Sequence, residues 1–234
     1  MGRWARLWFG ATALCVAAGV AISVYSAVTG TGHFHQGVER GFNTFAFFTV
    51  QSNLLVGGTS LVLAVRPRPG STLFAVVRLT SLVAITVTGV VYHVALSRVL
   101  VLSGIHQFGN QLVHTVVPLL CVVGWLLFGP RRLTSVRIAF WSLVFPAAWL
   151  AFTLIRGAVV HWYPYPFIDV DRIGYAKTAL NCSWVLVLLL GLAAGATVVD
   201  RHLRAPSGGP GGTVLSPPSE GDPARTPPGG ASPR

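Results

Sequence analysis

Thr49 and His114 are the residue types from which a nucleophile and its base can be built. A threonine hydroxyl attacks an ester only when a neighbouring base takes its proton, and neutral histidine is the usual base near pH 7. Thr49 stands in the run Phe47-Phe48-Thr49-Val50-Gln51-Ser52-Asn53, and His114 in the run Asn110-Gln111-Leu112-Val113-His114. Asn53 lies one helical turn from Thr49, and Asn110 one turn before His114, so either amide can orient the imidazole or donate to a developing oxyanion. No Asp or Glu interrupts the apolar segments that hold these residues. A Ser-His-Asp triad is therefore excluded within them, and the chemistry left open is that of a dyad without a carboxylate. Plainer readings exist for each residue. A threonine in an apolar helix ordinarily bonds back to the carbonyl four residues earlier, and a buried histidine can serve only as a structural hydrogen-bonding group.

The elements that must position these residues are membrane helices. Of 234 residues, 53% are hydrophobic and 10% charged, against about 25% charged in an ordinary soluble domain. A soluble globular enzyme is excluded. A hydrocarbon core about 30 Å thick needs roughly 20 apolar residues per helix, and segments near 7–28, 44–65, 73–97, 109–128, 135–156 and 175–199 meet that length. The reading is all-α: a polytopic six-helix transmembrane domain over residues 1–200, followed by a disordered Pro/Gly-rich tail over 201–234. The first segment is too long for a signal-peptide core and is read as a retained helix. Arg and Lys crowd one set of connections, ten against five, which predicts that both termini face the cytoplasm. The formal net charge of +11 therefore reads as topology and not as nucleic-acid binding. Gly191 and Gly195, four apart on the last segment, predict close helix packing.

With 1.5 Å of rise per residue, this topology brings several polar groups to one depth. Thr49 lies about 9 Å below the outer boundary, His114 about 7–8 Å, His93 about 6 Å and Asn181 about 9 Å, with Asn110 at the mouth and Asn53 one turn below Thr49. Polar groups at membrane depth are functional candidates by default. The connections on that side carry His33, His35, His106 and His161, and the run Trp162-Tyr163-Pro164-Tyr165-Pro166-Phe167. Two prolines stiffen that run, so Tyr163, Tyr165, Pro166 and Phe167 form either a rigid aromatic lid lining the substrate or an interfacial anchor. His33 and His35 make an HxH pattern without the carboxylates that would support a metal site, and no metal or cofactor is expected. The three cysteines, each inside an apolar run, indicate no disulfide framework. The expected partners are membrane lipids and a lipid-like ester. Two other classes remain open: a protein that binds or transports without reacting, and a haem b carrier ligated by His93 and His114.

Three runs together resemble a known family. They are Phe47 to Leu55, the Asn-x-x-x-His-Thr-x-x-x-Pro pattern from Asn110 to Pro118, and Tyr165-Pro166-Phe167-Ile168-Asp169. In order and spacing over roughly residues 5–200 the chain resembles the androgen-induced-gene family of multipass membrane proteins, in particular its bacterial branch. Animal members are described as threonine hydrolases that cleave fatty acid esters of hydroxy fatty acids, with one Thr and one His essential. By motif these fall on Thr49 and His114, which implies a membrane lipid-ester hydrolase in a bacterial plasma membrane. The chain departs from the animal pattern at Gln51, Ser52 and Asn53, which are more polar, and in its tail.

Overall fold

The computed structural model describes residues 2–30, 37–66, 70–97 and 102–203. His33, His35 and the tail beyond residue 203 lie outside the described residues. The described chain is helical and contains six helices long and apolar enough to cross a membrane: α1 (Arg3–Thr29), α2 (Phe48–Val65), α3 (Thr72–Leu96), α4 (Gly104–Phe128), α5 (Val136–Val160) and α6 (Val170–His202). The expected spans are all present. Their ends differ most at α4 and α6, which start five residues before the positions that hydropathy alone marks.

α3 is the axis of the bundle. Its apolar window is 72% buried, against 17% for both α5 and α6. Residues Leu82 and Ile85 on one face pack with Val16, Val50, Val56 and Val117 of α1, α2 and α4. Leu79, Val83, Ala84 and Val87 on the other face pack with Phe48, Tyr165, Ile168 and Leu189. A helix apolar all round must be covered all round; here α1, α2 and α4 cover one side, and α5, α6 and the Tyr163–Ile168 segment the other. The two cores meet at the start of α2, where Phe48 belongs to one and Val50 to the other.

Close approach at Gly89 brings α3 against α4. A Cβ there would stand 3.3 Å from Pro118 Cβ and 3.4 Å from the His114 carbonyl. That carbonyl cannot find its usual helical donor, because Pro118 has no N–H. The helix widens just before it, over Leu112–Val116, into a π turn, and α3 does the same beside it over Tyr92–Leu96. Such turns recur at functional sites because the extra residue redirects side chains. Gly191 and Gly195 depart from expectation: a Cβ at either would meet nothing within 4 Å, so they make no close helix contact among the described residues. All three cysteines are free thiols.

Candidate active site

α2 does not begin where its hydropathy does. Thr44–Ala46 form a separate 3-10 turn, and Phe47 is extended at φ −72°, ψ 132°. The carbonyls exposed by this break are taken up by side chains: Gln51 Nε2 donates to Phe45 O at 2.9 Å and Trp149 Nε1 to Ala46 O at 2.9 Å. The Phe47 ring lies edge-on to Trp162 and Tyr165. Thr49 is therefore the second residue of a helix instead of a residue well inside one. The carbonyl four residues back, Phe45 O, belongs to another element and is already bonded to Gln51. The back-bond that ordinarily occupies a helical threonine hydroxyl has no acceptor here.

The hydroxyl turns to His114 instead. Thr49 Oγ1 lies 3.2 Å from His114 Nε2 and 3.1 Å from the Tyr165 hydroxyl, which also accepts the Thr49 backbone N–H at 3.1 Å. The proton order follows from the outer partner. His114 Nδ1 is 3.1 Å from the Asn110 carbonyl, and a carbonyl only accepts, so Nδ1 carries the proton in the neutral ring and Nε2 is left as an acceptor. Thr49 then donates to His114, and the Tyr165 hydroxyl donates to Thr49. Every hydrogen in the chain Tyr165, Thr49, His114, Asn110 points one way, toward the Asn110 carbonyl.

The surrounding groups hold this order in place. Tyr92 stacks on His114 with ring centroids 4.3 Å apart and accepts from Asn110 Nδ2 at 2.6 Å. Asn110 thus orients the imidazole through its backbone carbonyl, while its amide fixes the ring that stacks on it. Asn53, fully buried, donates from Nδ2 to Thr49 O at 2.8 Å and to Val113 O at 3.1 Å. Both its amide hydrogens are committed, so it ties α2 to the π turn of α4 and has none to give an oxyanion. Its Oδ1 is buried without a partner among the described residues.

Other residues of the polar layer stand apart from the pair. His93 is exposed on α3 and bonded at Nε2 to Thr115 Oγ1, 3.1 Å away. With both His114 nitrogens engaged as well, the two histidines do not present a free pair of haem ligands. Asn181 donates to Phe167 O at 2.8 Å and so anchors the aromatic segment from α6. His106 pairs with Ser26 at 2.7 Å, and His161 with Asp171 at 3.1 Å. Among the described residues no group of three His, Cys, Asp or Glu side chains is placed to hold a metal.

The aromatic run divides by role. Tyr165 is buried and reaches the pair; burial pushes its phenol up from the ordinary value near 10, so it is a neutral donor. Phe167 stacks on Tyr165 at 5.3 Å. Tyr163 does not line the site, since its ring is wedged against Gly157 of α5, where any Cβ would collide. Two cavities, about 360 and 510 Å³, open on either side of the pair. Both sizes are typical of small-molecule sites. Tyr92, Gln51 and Trp149 are the contributors that residue spacing did not single out. The only sequence signal for them was polar or aromatic character at membrane depth. Compared with known proteins, the chain matches no family model, no curated protein and no solved structure.

Proposed function

We propose that this chain is an integral membrane hydrolase that cleaves lipid esters, with Thr49 as nucleophile and His114 as general base. The observation that carries the reading is the Thr49 hydroxyl, released from its own helix and bonded to the free nitrogen of a histidine whose tautomer is held by Asn110. The resemblance to the androgen-induced-gene family, whose essential Thr and His fall on the same two residues, supports it. So does the apolar setting, which suits an amphiphilic ester such as a fatty acid ester of a hydroxy fatty acid. We assign the protein to a bacterial plasma membrane, with both termini cytoplasmic and the site in the outer leaflet.

In this mechanism Thr49 Oγ1 attacks the ester carbonyl as its proton passes to His114 Nε2. The tetrahedral intermediate collapses by returning that proton to the leaving alkoxide, giving the free alcohol and an acyl-threonine. Water then attacks the acyl carbonyl, losing a proton to His114, and Thr49 leaves with that proton to give the carboxylic acid and the resting enzyme. The negative charge on the former carbonyl oxygen develops beside the N-terminus of α2, whose dipole favours an anion. Tyr165, whose hydroxyl lies 3.1 Å from Thr49 Oγ1, is the donor this mechanism assigns to that charge.

The test is labelling of the purified protein with a fluorophosphonate probe. Wild type forms a covalent adduct on Thr49, and the Thr49→Ala and His114→Ala variants, folded by their thermal transitions, do not. Wild-type protein that is folded and remains unlabelled rejects an activated threonine.

A further inference from the structure

The cavities on either side of the pair have different walls and share only Thr49, Leu96, His114 and Tyr165. The smaller lies between α3, α5 and α6. Apart from the shared residues its hydroxyls are Thr88, bonded to Ser52, and Ser183, bonded to its own helix at Ala179 O. Cys182 and Leu186 stand along it among hydrocarbon side chains. The larger lies between α1 and α4, with Ala27 and Val113 in its wall together with the hydrogen-bonded pair Ser26 and His106. Both are walled mainly by hydrocarbon, and the larger alone carries the hydrogen-bonded Ser26–His106 pair.

The direction of proton return distinguishes them further. The leaving alkoxide must lie within reach of His114 Nε2, and the wall that continues from His114 along its own helix belongs to the larger cavity. α4 supplies His106, Gly109, Asn110 and Val113 to the larger cavity, and to the smaller one only His114 itself. The aromatic segment is partitioned the same way, with Phe167 facing the smaller cavity and Pro164 and Pro166 the larger.

Resting on the hydrolase reading, we propose that the ester is bound across the pair, its acyl chain in the α3–α5–α6 cavity and its alcohol half in the α1–α4 cavity, so that separate residues select the two halves. Cys182 limits the acyl chain and Ala27 the alcohol. The alcohol half is the one that tolerates a polar substituent, which the Ser26–His106 pair can meet. A narrowing substitution in either compartment changes one selectivity and leaves the other alone.

Two measurements on the full chain in lipid nanodiscs test this. In the first, synthetic esters are varied in acyl length at constant alcohol, and in alcohol length at constant acyl. Cys182→Phe lowers kcat/KM for the longest acyl chains by about tenfold or more with the alcohol series within about twofold of wild type; Ala27→Phe does the converse. Both variants acting on the same series, or each on the opposite one, overturns the assignment. In the second, non-hydrolysable ether analogues carrying a diazirine at the end of one chain or the other are photocrosslinked to wild type and Thr49→Ala. Label from the acyl-side chain on the α6 peptide around Leu186, and from the alcohol-side chain on peptides around Ala27 and Val113, supports the assignment. Exchanged, mixed or absent labelling rejects it. Since crosslinking needs no turnover, loss of the hydrolase reading would appear as correct crosslinks without hydrolysis, and loss of the compartment assignment as hydrolysis with misplaced crosslinks.

Discussion

Two buried threonines of α2, ten residues apart, meet opposite fates. Thr59, in the middle of the helix, bonds back to Leu55 O at 2.9 Å and Val56 O at 3.2 Å, with Ser81 at 3.3 Å. Thr49, at the start, makes no such bond and spends its hydroxyl on His114 and Tyr165. Residue type, burial and helix are the same. The difference lies in what stands one turn earlier: a helical carbonyl beneath Thr59, and beneath Thr49 a broken backbone whose carbonyls are taken by Gln51 and Trp149. Thr12, Thr29, Thr86 and Thr197 follow the Thr59 pattern. Thr49 is available for chemistry because its helix begins beneath it.

The contrast can be broken most directly at the hydroxyls themselves. Thr49→Ala should lower ester turnover by about 10³-fold or more, as loss of a nucleophile does, while Thr59→Ala leaves kcat within about twofold; steady-state hydrolysis of a common lipid ester reads both. Next in size is Tyr165→Phe, which removes one donor aimed at the reacting oxygens and should lower kcat by about 10²-fold. Equal kcat in that variant would reduce Tyr165 to a packing residue. The sharpest variant is Gln51→Leu. It frees Phe45 O to accept from Thr49, making Thr49 resemble Thr59, and a competing hydrogen bond of about 1 kcal/mol should lower kcat roughly fivefold with KM unchanged. Unchanged activity there would mean that the helix break, and not the occupied carbonyl, is what matters.

The smallest effect is on alkaline stability. Burial raises the Tyr165 phenol above its unfolded value near 10. The unfolded chain ionises first as the pH climbs, so the stability this neutral phenol contributes is complete below pH 10 and is lost above it. Thermal denaturation from pH 9 to 11 should show a shallower decline in Tyr165→Phe than in wild type, which also separates a folded Tyr165→Phe variant from a collapsed one.

Some of this was legible in the residues alone. Length and hydropathy mark six spans, because a helix in hydrocarbon must be apolar for its whole crossing. A rise of 1.5 Å per residue brings Thr49 and His114 to one level. Direction around each helix is another matter. Depth is a one-dimensional quantity, and His93, at the same level, faces outward and bonds Thr115. Asn53 has the composition of an oxyanion donor, yet both its hydrogens go to backbone carbonyls of two helices. Tyr163 and Tyr165, two residues apart in one aromatic run, separate into a wedge against Gly157 and a partner of the nucleophile.

The amino-acid sequence by itself determined six helices long and apolar enough to cross a membrane, the absence of a carboxylate among the candidate residues, and the shared level of Thr49 and His114, since each follows from local composition and a fixed helical rise. Only the tertiary structure decided that Thr49 opens its helix, that the Asn110 carbonyl leaves His114 Nε2 as the accepting nitrogen, and that two separate cavities meet at the pair. Those outcomes depend on side chains from distant positions, Trp149 on Ala46, Tyr165 on Thr49 and Asn53 on Val113, and a hydrogen bond across helices has no signature in the spacing of either strand of sequence that makes it.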